Sequence, residues 1–127
     1  MNHKINPILF HTTDWSSIPA TEHEGTTGTA RSQTIQFGQL RMRLVEYSKN
    51  YRARRWCKAG RILYCLDGEI NMELSDGRAF KLSKGMSYEV MDGAVEHRLH
   101  SESGVKALII DGPFLKTSQH NFNPWKM

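Results

Sequence analysis

A chain of 127 residues, 39% hydrophobic and 24% charged, can bury one modest core and is too short for two. It has no run of about 18 apolar residues, and its opening MNHKINPILFHTTDW lacks both a long apolar core and a small-residue cleavage site. This predicts a soluble, cytoplasmic protein with no membrane span. The formal charge of +4 permits contact with anions, but no long basic run is present, which reads as a solvated surface rather than a nucleic-acid face.

In chain order, residues 1–14 form an N-terminal arm carrying Pro7, Ile8, Leu9 and Phe10, with Trp15 and Ile18 following. Thr21 to Ala30 is rich in Gly and Thr and reads as a loop. Leu40 to Tyr47 is a strand with two candidate inner faces. Leu40, Met42, Leu44 and Glu46 read as core, with Glu46 available to pair with an arginine; Arg41, Arg43, Val45 and Tyr47 would make the interior more basic. A one-residue bulge exchanges the two, so both stay open. In YRARR, residues 51–55, the charges divide between opposite strand faces, which speaks against a nucleic-acid patch.

Arg61 to Leu66 and Val105 to Ile110 are apolar at nearly every position, the mark of strands covered on both faces. The N-terminal arm or a second subunit would have to supply the second cover, and a homodimer is expected. Glu69 to Leu74, Arg78 to Leu82 and Met86 to Val90 alternate apolar with polar residues, as in a meander with one wet face. Four Asp-Gly pairs (Asp67-Gly68, Asp76-Gly77, Asp92-Gly93, Asp111-Gly112) read as turns between strands. No proline occurs from residue 20 to residue 112, so the ladders are uninterrupted. The chain is predicted to be all-β, with nine to eleven short strands forming a sandwich or barrel over residues 15–115 and a tail over 116–127.

The segment RRWCKAGRILYCLDGEI, residues 54–70, together with RLVEYS before it and EHEGTTGTA near the start, resembles the small single-domain cupins, and more narrowly those named for an Asp-His-Trp-Cys motif. Setting the last glycine of the first cupin motif on Gly68 puts its two histidines at Arg55 and Cys57 and its glutamate at Arg61. The second motif, started on Gly85, brings its histidine to His97 with one inserted residue. In the narrower family the Asp and first His fall on Arg54 and Arg55, with a further His at Arg61; Trp56, Cys57 and His97 keep family residue types. The resemblance implies an RmlC-like jelly-roll β-barrel whose pocket has lost most of its metal ligands.

Period-two alternation can bring Arg55, Cys57 and Arg61 together, with His97 arriving from a later strand. A metal site needs three or four N, S or O donors, and arginine is not one, so no metal cofactor is expected. If zinc, iron, nickel or manganese were held, Cys57 and His97 would be the ligands, as in a metal-dependent isomerase or oxygenase. Buried guanidinium groups must meet carboxylates, reach water or take an anion, and their planar fork suits carboxylate or phosphate. The chain therefore reads as a binding module for a small anion at Arg55, Cys57, Arg61 and His97, rather than as an enzyme. The plainer alternatives are an internal salt bridge to Glu46 or Glu96, or arginines turned outward in a purely structural protein. Cys65 reads as a core residue, and Trp56 as packing.

Overall fold

The computed structural model describes residues 3–5 and 8–115; Pro7 of the expected arm and the expected tail 116–127 lie outside the described residues. Ten strands run through them: β1 His3–Ile5, β2 Ala20–Glu24, β3 Thr29–Phe37, β4 Leu40–Tyr47, β5 Tyr51–Arg52, β6 Arg61–Leu74, β7 Ala79–Ser83, β8 Ser87–Val90, β9 His97–Ser101 and β10 Val105–Asp111. Among the described residues the only helical pieces are two short 3₁₀ turns, Trp15–Ser17 and Pro113–Leu115. The sheet curls on itself as a jelly-roll half-barrel, the all-β architecture that the alternation and turn spacing predict.

β6 is the spine. Its first half lies between β10 and β8, its second half between β9 and β7. The expected meander is one bent hairpin instead: β7 and β8 follow one another along the same edge of β6, joined through Cys65 N–H to Met86 O (2.9 Å) and Gly85 N–H to Cys65 O (2.9 Å). β9 and β10 follow one another along the other edge in the same way. All three segments turn together at Gly68, Gly85 and Gly104, each with positive φ (86°, 90° and 91°). Asp67-Gly68 is therefore a corner within β6 rather than a turn between strands. The register against β10 slips there between Lys106 and Ala107. That slip exchanges the inward parity, from Leu63 and Cys65 before the corner to Ile70 and Met72 after it, all buried. Asp76-Gly77 is the hairpin turn its sequence predicts, with Gly77 N–H bonded to Leu74 O (3.0 Å).

Thr21 to Glu24, within the stretch Thr21 to Ala30 predicted as loop, belong to β2 on the edge of β3. They are mostly exposed and show no apolar stripe because the ladder to β3, not burial, holds them. The core comprises Val45, Tyr47, Leu63, Cys65, Ile70, Met72, Leu82, Leu99, Val105, Ala107 and Ile109. The inner face of β4 is thus Arg41, Arg43, Val45 and Tyr47; the reading of Leu40, Met42, Leu44 and Glu46 as core is reversed. Glu46 lies exposed and reaches Lys106 at 3.9 Å.

The segment before β2 covers part of the outer face. Ile18 is buried, and the Gln33 side-chain amide donates to Trp15 O (2.6 Å) and Ile18 O (2.8 Å), closing over Ile35. Ile8, Leu9 and Phe10 remain exposed.

Candidate functional site

Cys57, Arg61 and His97 meet inside the barrel. Cys57 forms an isolated bridge to His97, with Cys57 N–H to His97 O at 2.7 Å and His97 N–H to Cys57 O at 3.0 Å. Arg61, the first residue of β6, turns inward with the parity of Leu63 and places Nη2 2.9 Å from Cys57 Sγ. His97 is 2% exposed. Its Nδ1 lies 3.3 Å from Val95 O, a carbonyl that accepts a hydrogen bond only from the forms of the ring that carry a hydrogen on Nδ1. Its Nε2 is left buried with no partner.

Arg55 is not part of this cluster. Residues 53–56 leave the strand conformation: Ala53 N–H still reaches Leu99 O (3.1 Å) and Cys57 rejoins β9 at His97, so the chain between them bulges away from β9 and Arg55 stands exposed. Neighbouring Arg54 reaches Glu24 (3.5 Å), and Trp56 lies under the Arg98 guanidinium, 4.2 Å from ring centroid to Cζ. No ion pair joins Arg61 to Glu46 or Glu96, the carboxylates considered from sequence.

The carboxylate that the basic interior does use is Asp111, at the end of β10. Arg41 grips it with Nε on Oδ1 (3.0 Å) and Nη2 on Oδ2 (2.8 Å), and Arg43 Nη2 adds a contact at 3.2 Å. The sequence shows Asp111 only as half of an Asp-Gly pair. Its role follows from the register Asp111 to Arg41, a pairing that alternation within one strand does not reveal. Burial works against the Asp111 carboxylate, but Arg41 and Arg43 outweigh it and hold its pKa below the usual value.

Tyr88, assigned from sequence to packing, lies edge-on to His97 (ring centroids 5.7 Å apart), and its buried hydroxyl has no partner. Burial pushes that hydroxyl far above the ordinary tyrosine range, so it stays protonated and can donate. Burial likewise raises Tyr47 to about 12. For Cys57, burial alone would raise the thiol; His97 and the Arg61 guanidinium act more strongly and bring it down to about 7. Arg43 Nε and Arg61 Nε are also buried without partners.

The donor set does not suit a transition metal. Cys57 and His97 are two donors, no group of three or more His, Cys, Asp or Glu side chains comes together among the described residues, and the Arg61 guanidinium already faces Cys57 Sγ. A divalent ion there would lack ligands and sit against a fixed positive charge.

Next to this cluster is a cavity of about 230 Å³, walled by the apolar Met72, Leu74, Phe80, Leu82, Val90 and Val95, by the rings of Tyr88 and His97, and by the charged Arg78 and Glu89. Cys57 and Arg61 are not in its wall; they adjoin it through His97 and Tyr88.

Several solved structures share this arrangement of strands. An RmlC-like cupin from Shewanella frigidimarina matches 82% of this chain and 91% of its own at 18% identity and a TM-score of 0.65. The fold is that of the RmlC-like cupins. Ectoine synthase from P. lautus matches 82% of this chain and 78% of its own, at 19% identity and TM-score 0.66. Apo-HppE matches at 15% identity and TM-score 0.66, over 81% of this chain but 58% of that longer one. No protein-family model matches the chain, and no curated protein does. Cupin neighbours thus include enzymes and proteins described only by fold, and a shared scaffold does not transfer an activity.

Proposed function

We propose that this cupin binds a small anion, a carboxylate or a phosphate, in its barrel, and that its pocket works without a metal. The observation that carries this reading is an excess of inward guanidinium charge. Arg41, Arg43 and Arg61 face a single carboxylate, Asp111, and both Arg43 and Arg61 keep a buried Nε without a partner. Half-buried Cys57 offsets part of the charge of Arg61, but leaves that Nε free. Unpaired buried donors on a cation carry a desolvation cost that an anionic acceptor relieves.

Two unpaired thiols, Cys57 and Cys65, accord with residence in the reducing cytoplasm. The uncovered apolar rows on the outside of β4, β10 and β6 accord with a homodimer.

Elemental analysis and native mass spectrometry of the purified chain test the metal-free reading. The expected result is a mass without transition metal, either apo or with a retained anion. Stoichiometric zinc, iron, nickel or manganese would overturn it in favour of a metal-dependent isomerase or oxygenase held by Cys57, His97 and a further donor. Arg61→Met separates binding from scaffolding: the binding reading expects loss of anion-induced thermal stabilisation. A variant that responds to anions as fully as the parent chain would remove Arg61 from the site.

A further inference from the structure

We propose that the outer face of the barrel carries a second anion site, a hollow among Arg52, Arg98 and His100 that takes the terminal phosphate of a phosphate monoester. The site is separate from the barrel interior and goes beyond the reading above.

Strand register places the three basic residues together. Arg52 of β5 lies opposite His100 of β9, and Arg98 stands two residues before His100 on the same face. The alternate residues of β9, His97, Leu99 and Ser101, are buried, so Arg98 and His100 point away from the core. A hollow of about 170 Å³ opens among them, with Thr26 also in its wall.

The charges around it are unevenly matched. Among the described residues no carboxylate pairs with Arg52 or His100, and neither side chain has another partner there. Glu24 is taken by Arg54 at 3.5 Å. Glu73, across from Arg98, accepts from its Nη2 at 2.9 Å, and Trp56 lies under the guanidinium, 4.2 Å from ring centroid to Cζ. Arg98 is thereby held in place while its Nε and Nη1 stay available to a ligand. Arg52 is its diagonal neighbour across the strand pair, so the two guanidinium groups repel one another; an anion between them converts that repulsion into attraction.

Size and charge select the ligand. About 170 Å³ holds about six waters at some 30 Å³ each, enough for a tetrahedral phosphate but not for a nucleotide, so the body of the ligand stays outside. A carboxylate or an internal phosphodiester brings one charge and two free oxygens. A phosphate monoester brings up to two charges and three acceptor oxygens, one for each basic side chain. The same group can come from a small metabolite or from a phosphorylated side chain of another protein.

The test is calorimetry and tryptophan fluorescence on the full chain with glycerol 2-phosphate, a phosphoserine peptide of otherwise neutral side chains, acetate and a single-stranded oligonucleotide. The parent chain is compared with Arg61→Met, which removes the interior guanidinium. The expected result is one monoester site that persists in Arg61→Met and binds about tenfold more tightly than acetate or the oligonucleotide. Arg52→Met and His100→Gln, on the outer face, should each weaken the monoester about tenfold. Emission of Trp56, beneath Arg98, should change on binding, and Trp56→Phe should lose that response; this readout needs only the parent scaffold should Arg61→Met fail to fold. Tighter binding of the peptide would assign the phosphate to a modified protein, and equal binding of glycerol 2-phosphate to a small metabolite; both keep the site. Monoester binding lost in a folded Arg61→Met and untouched by Arg52→Met would overturn the outer site and support the barrel reading. Acetate or the oligonucleotide bound as tightly as the monoester, or no monoester bound, would overturn it too.

Discussion

Cys57 shows how far a single side chain depends on its neighbours. A free thiol titrates near 8.5, yet Arg61 and His97 hold this one at about 7 against the effect of burial. The alkylation rate of Cys57 should therefore rise with a midpoint near pH 7, while Cys65, fully buried and raised by desolvation, should stay inert in the folded chain. Mass-resolved iodoacetamide labelling across pH distinguishes the two, and Arg61→Met should move the Cys57 midpoint up toward the free value. Because the folded pKa lies below the unfolded one, the linked stability is full above about pH 9 and fades as pH falls through about 7. Asp111 has the same sign in a lower window. Its folded pKa is lowered, so its contribution is present above the ordinary carboxylate range and is lost as acid protonates it. Asp111→Asn leaves Arg41 and Arg43 with a neutral partner and should cost about 3 kcal/mol in urea denaturation, with most of the acid sensitivity gone. At this scale the sequence is uneven. Cys57, Arg61 and His97 are legible from motif spacing. Arg55 misleads because spacing assumes a strand that stops at Arg52, and Tyr88 and Asp111 acquire meaning only through their neighbours on other strands.

The element that organises the site is β6, which crosses the corner of the jelly roll without ending. Turn chemistry in the sequence marks the corner correctly but cannot tell a bend within a strand from a turn between two, since both need positive φ. What decides it is the partner: β9 and β10 run past Gly68 along one edge, and β7 and β8 along the other. Gly68 also has no room for a side chain, as a Cβ would fall on Gly104 O and 2.9 Å from Val105 Cα. Gly77, with φ of 96°, has nothing within 4 Å of that position. The two alanine substitutions thus separate strain from clash. Gly77→Ala should cost about 1 kcal/mol from backbone strain alone, and Gly68→Ala roughly 3 kcal/mol or more. Equal losses in chemical denaturation would mean that the corner yields and that the close approach of Gly104 is not what fixes it. The inner face of β4 teaches a related lesson. Arg41 and Arg43 look like surface residues until β10 supplies Asp111, and only then is burying that face less costly than burying Glu46.

For the whole molecule, the near-continuous apolar character of β6 and β10 predicts cover on both sides, and one side is accounted for by the core. On the other, the register sets Met42 beside Ile110 and Ile110 beside Ile62, and in the next row Leu44 beside Leu108 and Leu108 beside Tyr64. These two rows lie on the outer face, partly or fully exposed, with Tyr64 42% exposed, while the cover from Trp15 to Ile18 stops over β3. Charged residues border them: Glu46 and Lys106 toward one end, Glu89 beside Ile62. An apolar patch with a charged border fits a second copy of the same face, because two such sheets related by a two-fold axis bring apolar row to apolar row. Native mass spectrometry and sedimentation should give a dimer, and Leu108→Glu, at the centre of the patch and pointing away from the core, should return a folded monomer with an unchanged circular dichroism spectrum. The pocket lies on the opposite face of the sheet, so that monomer should retain anion binding within about threefold. A parent chain that sediments as a monomer would remove the dimer and leave this face to some other cover; a monomeric variant that loses the anion would instead mean that the barrel interior depends on the packing of a second subunit against its outer wall.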